Sequence, residues 1–319
     1  MLSYDVVIIG AGPAGITAGY LLQKNGLSCC ILERNNTLRS KACAGGTTTK
    51  MRKLCCEIYG DDFTRDMETV TTYALNLGDD YIHCSCQLKT PIVSIDRVDL
   101  NKWMLSHFLD AGGTVYYSQT LCNLDTSEKI VYSQTGAWKY KYLVGADGIN
   151  SRVRHVLYGD VISTRGYVEY KDIEPIICRD VISIRMHMGH PQYVWPRPNY
   201  IQLAQWTDKP RSKAAPINTG GLPFLQKYEH ELLIGAAGML ENPATGEGIY
   251  TAISSAKHAY QHIVEGKDYR RWIKKQMFWY KAYQLCWKLS STKLCHYCLK
   301  SPMLCKLVFD FEINRGLLR

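Results

Sequence analysis

The 319-residue chain has no apolar run approaching the ~20 residues that a membrane-spanning helix needs. It has no internal repeat and no low-complexity linker, which argues against a solenoid and against modules joined by a flexible tether. Its first residues, MLSYDVVIIGAG, carry neither a basic stretch nor a cleavage site, so no secretory leader is expected there. An even cysteine framework is missing too. The 13 cysteines include two adjacent pairs, Cys29–Cys30 and Cys55–Cys56, which suit reduced thiols in a cytoplasmic setting.

Acidic residues are scarce in one place only. From Gly266 to Arg319 the chain holds 12 Lys/Arg against 3 Asp/Glu, while the residues before Gly266 hold 26 of each sign, so the whole formal charge of +9 lies in the C-terminal sixth. The stretch KDYRRWIKKQMFWYKAYQLCWK interleaves these cations with aromatics, and Trp272, Trp279, Tyr283 and Cys286 fall on one helical stripe. Two readings stand side by side: a helical cap with a solvated basic face, or a surface helix making peripheral contact with anionic lipid. Nucleic acid is not expected, because no RNA- or DNA-binding module accompanies the charge. Cys286, Cys295, Cys298 and Cys305 crowd the same region with His296, but only one pair is closely spaced where metal knuckles use two, so no metal site is expected.

The other end of the chain is the informative one. YDVVIIG is a near-continuous apolar run, as in a strand buried on both faces of a parallel sheet. GAGPAG follows (Gly10, Gly12, Ala14, Gly15), then a helical segment, then a second strand that ends at Glu33, 23 residues after Gly10. This is the order and spacing of a dinucleotide fingerprint. The glycines permit a tight turn, close approach of a pyrophosphate and close helix–strand packing, and the acid meets the ribose hydroxyls. Further on, a helix is expected over 99–111, hairpin alternation over 114–144, an antiparallel sheet over 156–232, and helix beyond Tyr250. The fold class is therefore α/β: a Rossmann-type dinucleotide domain with a parallel sheet (1–70, 91–155 and 228–265). It is interleaved with an antiparallel-sheet substrate domain (71–90 and 156–227) and followed by a basic helical segment (266–319).

Several segments, in this order, resemble the geranylgeranyl reductase family of FAD-dependent oxidoreductases, within the p-hydroxybenzoate hydroxylase-like superfamily. They are GAGPAG, KACAGG (Lys41 to Gly46), Arg97 ahead of its helix, VGADGINSRVR (Val144 to Arg154), YVWPRP (Tyr193 to Pro198) and NPATGEGIYTAI (Asn242 to Ile253). The resemblance covers about residues 1–260. It implies FAD contacts from Gly10, Gly12, Ala14 and Gly15 at the pyrophosphate and from Glu33 at the ribose. Ala44 and Gly45 would lie near the ribityl chain and ring, Arg97 on the phosphate side, Leu121 at the adenine, and Gly248 and Ile249 beside the isoalloxazine. Asp147 would fix the turn under the cofactor. It places Cys43 at the flavin, as a proton donor, a substrate-positioning thiol or a small residue that fits near the ring, and Tyr193 and Trp195 in an apolar substrate wall or in core packing.

One departure stands out: Ala236 occupies the position where the family pattern has an Asp that binds the cofactor. The function expected is an FAD-dependent reductase that saturates carbon–carbon double bonds of a hydrophobic isoprenoid substrate, with NAD(P)H or ferredoxin as electron donor. A flavin monooxygenase or halogenase, and a degenerate flavoprotein that binds a lipid without turnover, are the rivals. A cytoplasmic location with membrane association through the basic segment completes the expectation.

Overall fold

A computed structural model describes residues 1–38, 43, 45–60, 63–67, 69–78, 83–160, 165–173, 181–187, 190–197, 200–207, 214–218, 223–242, 246–290, 301 and 303. In chain order the first elements are β1 (Leu2–Ile9), α1 (Pro13–Lys24), β2 (Cys29–Leu32), β3 (Gly46–Thr47), α2 (Thr49–Tyr59), β4 (Thr69–Gly78), β5 (His83–Ile95) and α3 (Arg97–Asp110). Then come β6 (Thr114–Tyr116), β7 (Leu121–Asp125), β8 (Ile130–Ser133), β9 (Ala137–Gly145) and α4 (Arg152–Tyr158). The last are β10 (Arg165–Ile173), β11 (Val181–His187), β12 (His190–Pro196), β13 (Ile201–Thr207), β14 (Ala214–Asn218), β15 (Glu231–Leu233), α5 (Ile249–Glu265) and α6 (Tyr269–Ser290).

The chain divides into two compact units, each assembled from separated stretches. The first comprises Met1–Arg39, Asn101–Thr164 and Gly220–Tyr280. Its seven-stranded sheet runs β6-β2-β1-β9-β8-β7, with β15 also on β9. The strands β6, β2, β1, β9 and β15 are mutually parallel, whereas β8 pairs antiparallel with β9 and β7 with β8. Val6 to Ile9 and Cys29 to Leu32 are buried at every position, as the unbroken apolar runs require when helices cover both faces. Helix α1 is buried from Ala14 to Leu22 and packs against α5, whose small residues Ala252, Ser255, Ala256 and Ala259 face inward. A helix apolar nearly all round belongs inside a protein rather than on its surface.

The first turns of α6, up to Tyr280, close this unit, and the buried stripe there is Tyr269, Ile273, Gln276 and Tyr280. The stripe expected from sequence began at Trp272 instead. Trp272 and Trp279 flank the buried line, half-exposed, and Trp272 stacks on His258 at 4.5 Å between ring centroids. The reason is a polar anchor: the Tyr269 hydroxyl donates to the Leu233 carbonyl at 3.1 Å, which sets the helix's rotation. The side chains of Tyr283 and Cys286, and Cys295, Cys298 and Cys305 entirely, lie outside the described residues.

The second unit comprises Ser40–Leu100, Arg165–Thr219 and Lys281–Arg319. Its eight-stranded sheet runs β14-β10-β13-β12-β11-β4-β5-β3. Every pairing is antiparallel except that of β11 with β4, which is parallel. Period-two alternation gives the sheet one apolar face. Leu75 and Leu77 of β4, Cys84 and Cys86 of β5 and Ile182 of β11 are buried there, with Ile184 and Trp195 packed against them.

A single carboxylate joins three segments at the start of the first unit's sheet. Asp5 accepts from Lys141 of β9 at 2.6 Å and from the Ser28 N–H and hydroxyl at 2.9 and 2.7 Å. These hydrogen bonds, Lys141 foremost, hold the Asp5 pKa down at about 2. A depressed carboxylate pKa gives stability that is present above the unfolded value of about 4 and lost as pH falls through the folded one. Asp5→Asn should therefore flatten the fall of the urea midpoint between about pH 4 and about pH 2, measured by circular dichroism. An unchanged slope would mean that the contact forms equally in the unfolded chain.

Candidate functional site

In the first unit the turn between β1 and α1 is built by close approach. A Cβ added at Gly15 would lie 2.0 Å from the Gly10 carbonyl oxygen, so only hydrogen fits there and the helix start is pressed onto the strand end. Gly10 itself donates to Leu32 of β2 at 2.9 Å. Helix α1 begins with Gly12 as its cap and Pro13 at its first turn. No side chain caps it, and no acid sits in the first turn. A Cβ at Gly12 would meet nothing within 4 Å. An uncapped helix N-terminus with an open glycine over it is a cradle for a phosphate group, carrying positive dipole charge and free of competing side chains.

Glu33, expected at the ribose, lies just past β2 and is 9% exposed. Its Oε2 accepts from the Ala11 N–H at 2.9 Å and its Oε1 from the Asn35 N–H at 2.9 Å, with the Asn35 amide on the same oxygen. The carboxylate thus ties the glycine turn to the second strand, and Oε2 keeps a lone pair for a hydroxyl donor.

Asp147 follows β9. Its Oδ2 accepts from the N–H groups of Arg152 and Val153 at 2.7 and 3.2 Å, fastening the start of α4, where Ser151 also caps the Arg154 N–H. The other oxygen, Oδ1, is buried without a protein partner, and burial raises the carboxyl's pKa. An orphaned buried oxygen next to the glycine turn is what a missing polar ligand leaves behind. Together with the open cradle at Gly12, it shows that these residues fit FAD.

Leu121 is buried, and its carbonyl is taken by the Arg152 guanidinium at 2.6 Å. Gly248 and Ile249 form the cap and first residue of α5, again with no side-chain cap and no acid in the first turn. Ala236 lies in the single 3-10 turn Gly235–Gly238 and is the one residue between Glu231 and Asn242 that is not buried, so its methyl faces outward from the core.

The second unit carries the remaining residues. The Cys43 sulfur accepts from the Gly45 N–H at 3.4 Å and is paired with the Arg97 guanidinium. Arg97, the first residue of α3, is buried, and desolvation lowers its pKa. Ala44 lies outside the described residues. Gly45 has φ +63°, and a Cβ on it would meet the Ile95 carbonyl at 2.2 Å and the Arg197 guanidinium. Trp195 lies against Gly46, where an added Cβ would be 2.5 Å from its ring. Tyr193 shares its strand face, and burial pushes the phenol pKa up to about 12. The apolar face of this sheet therefore runs up to the loop that holds Cys43.

Three arginines that sequence reasoning passed over hold these pieces in place. Arg197, 2% exposed, reaches the carbonyls of Ile95 and Cys43 and the Gln202 amide oxygen at 3.0 Å. Arg154, also buried, donates to the carbonyls of Ala237 and Ile149 at 2.6 Å each and of Ala236 at 3.4 Å, and Arg152 does the same for Leu121. The only signal for them was their place inside the quoted motifs, since a cation bound to backbone carbonyls has no partner residue type to search for. Arg154→Met should destabilise the protein by about 3 kcal/mol, because buried carbonyls lose their donors, read as a fall in the urea midpoint at constant slope. A change within experimental error would show those carbonyls find other donors.

The chain has relatives among known proteins. The chain is 24% identical over 315 residues to digeranylgeranylglycerophospholipid reductase of Methanosarcina acetivorans, with 82% of this chain and 76% of that protein covered. It is 22% identical over 307 residues to geranylgeranyl diphosphate reductase of Rhodobacter capsulatus, covering 81% and 74% respectively. Among solved structures, a geranylgeranyl bacteriochlorophyll reductase-like protein from Thermoplasma acidophilum matches 100% of this chain and 92% of its own, with TM-score 0.75 and 16% identity. The flavin-dependent brominase Bmp2 matches 99% and 94%, with TM-score 0.77 and 17% identity. The FAD binding domain family matches residues 3–187, more than half of the sequence, and the chain belongs to this family of FAD-dependent oxidoreductases.

Proposed function

We propose that this FAD-dependent enzyme is a reductase that saturates carbon–carbon double bonds of a hydrophobic, prenyl-type substrate. The observation that carries the reading is the apolar sheet face of the second unit, which ends at a thiol. Leu75, Leu77, Ile182, Ile184, Tyr193 and Trp195 share one face, and Trp195 lies against the loop that carries Cys43. Names of relatives point the same way, since two of them are reductases of geranylgeranyl compounds.

FAD held at the start of α1 would supply hydride chemistry for the alkene. The chain's own residues do the rest. The uncapped start of α1 binds the pyrophosphate, and Glu33 and Asp147 hold the turn beneath it. The aromatic face orients an oily chain and excludes water, which matters because an isolated alkene is a poor hydride acceptor and gains from fixed approach in a dry site. The Cys43 sulfur carries the proton that completes the second carbon, and Gly45 N–H and Arg97 hold it in place. Either NAD(P)H or ferredoxin serves as electron donor.

A second reading, flavin binding without turnover, draws on Ala236. A carboxylate missing from the cofactor side removes one charge-assisted hydrogen bond, about 1.5–3 kcal/mol.

Product analysis tests the main reading. The dithionite-reduced protein incubated with polyprenyl lipids should yield products heavier by one H2 for each bond reduced. Oxygen uptake coupled to NADPH oxidation, with no hydrogenated product, would assign it to the oxygenases or halogenases instead. Cys43→Ala should lower turnover on the order of a hundredfold with flavin content unchanged, and full activity would remove Cys43 from the proton path. Ala236→Asp should slow flavin loss on dialysis about ten- to a hundredfold. Equal loss would mean that residue 236 does not face the cofactor.

A further inference from the structure

The basic helix α6 has a side that the reductase reading leaves unused. Its inner line, Tyr269, Ile273, Gln276 and Tyr280, is buried. Directly opposite stands Phe278, 66% exposed on a folded helix. Positions three, four and seven residues away share its side of an α-helix. Before it these are Lys275, Lys274 and Arg271, and after it Lys281, Ala282 and Leu285; the four cations are exposed, Ala282 is half-buried, and the side chain of Leu285 lies outside the described residues. A lone apolar ring is thus ringed by cations, and Tyr269–Ser290 contains no Asp or Glu to offset them.

We propose that this outer face of α6 docks on an anionic lipid surface, with Phe278 entering the acyl region and Arg271, Lys274, Lys275 and Lys281 at the headgroups. The geometry is that of a helix lying in the interface plane rather than crossing it: one apolar residue deep, cations at the rim. Among the described residues no helix is long and apolar enough to span. Charge alone would suit a polynucleotide as well. A polynucleotide, however, leaves an outward phenyl ring unused unless further aromatics share its face for stacking, and here Trp272 and Trp279 turn toward the flanks. The inference rests on α6 alone and does not require that the substrate be a prenyl lipid. Nor does it conflict with α6 acting as a cap, since the cap uses the inner line and the docking face the outer one.

The test is flotation of the full chain with vesicles of phosphatidylcholine, with and without phosphatidylglycerol. Deleting α6 would strip Tyr269 and Tyr280 from the core, so point variants are the tool. The chain should float with the anionic vesicles, lose flotation as salt rises, and stay behind with neutral ones. Phe278→Ser should weaken binding on the order of tenfold. Lys274→Ala with Lys275→Ala should weaken it about fivefold for each cation removed. Flavin content should be unchanged in all variants, which shows that they fold. No flotation of the parent, equal flotation on neutral vesicles, indifference to both sets of substitutions, or tighter retention on a polyuridine column than on anionic vesicles would each overturn the proposal.

Discussion

A helix that starts with nothing on its end governs the first unit. Bringing α1 against β1 requires a residue without a side chain at Gly15, since any Cβ would collide with the Gly10 carbonyl. Once there, the helix N-terminus is left uncapped beside an open glycine. Glu33 does not cap it; its oxygens accept from Ala11 and Asn35. Such an exposed positive end suits the phosphates of a dinucleotide. The apolar strands, the buried helix and the acid at the end of β2 all follow from making that one contact available.

Much of this was legible in the order of residues. Unbroken apolar runs announced β1 and β2, and the glycines with Glu33 at a fixed offset announced the turn, because each of these depends on local rules of backbone and burial. The helix over 99–111 appears as α3, Arg97–Asp110, so Arg97 opens the helix rather than preceding it. What sequence pattern missed depends on tertiary contact. The inward line of α6 is fixed by the Tyr269 hydroxyl on Leu233, and hydropathy alone favoured the tryptophans beside it. The parallel pairing of β11 with β4 joins residues about a hundred positions apart, and an alternating pattern says nothing about which strand lies alongside which. Arginines 152, 154 and 197 bind carbonyls, a partner every residue offers.

The two units divide the chemistry. The first carries the glycine turn that fits a dinucleotide, with Asp147 fastening α4 through one oxygen and leaving the other without a protein partner. The second supplies an apolar sheet face and the Cys43 loop, whose left-handed Gly45 leaves room for Arg197. Ala236, where the resemblance leads one to expect an Asp, lies in the first unit's 3-10 turn Gly235–Gly238.

The eight-stranded sheet also has a history written into its connectivity. Strands β4 and β5 emerge from the ribosome together, but the neighbour that closes the β4 edge, β11, is made only after residues 101–164, which belong to the other unit. Until then a nascent hairpin presents an open edge and the side chains of Leu75 and Leu77 to whatever lies nearby. While that middle stretch is being made, an unpaired edge of this kind is where self-association competes with completion of the sheet.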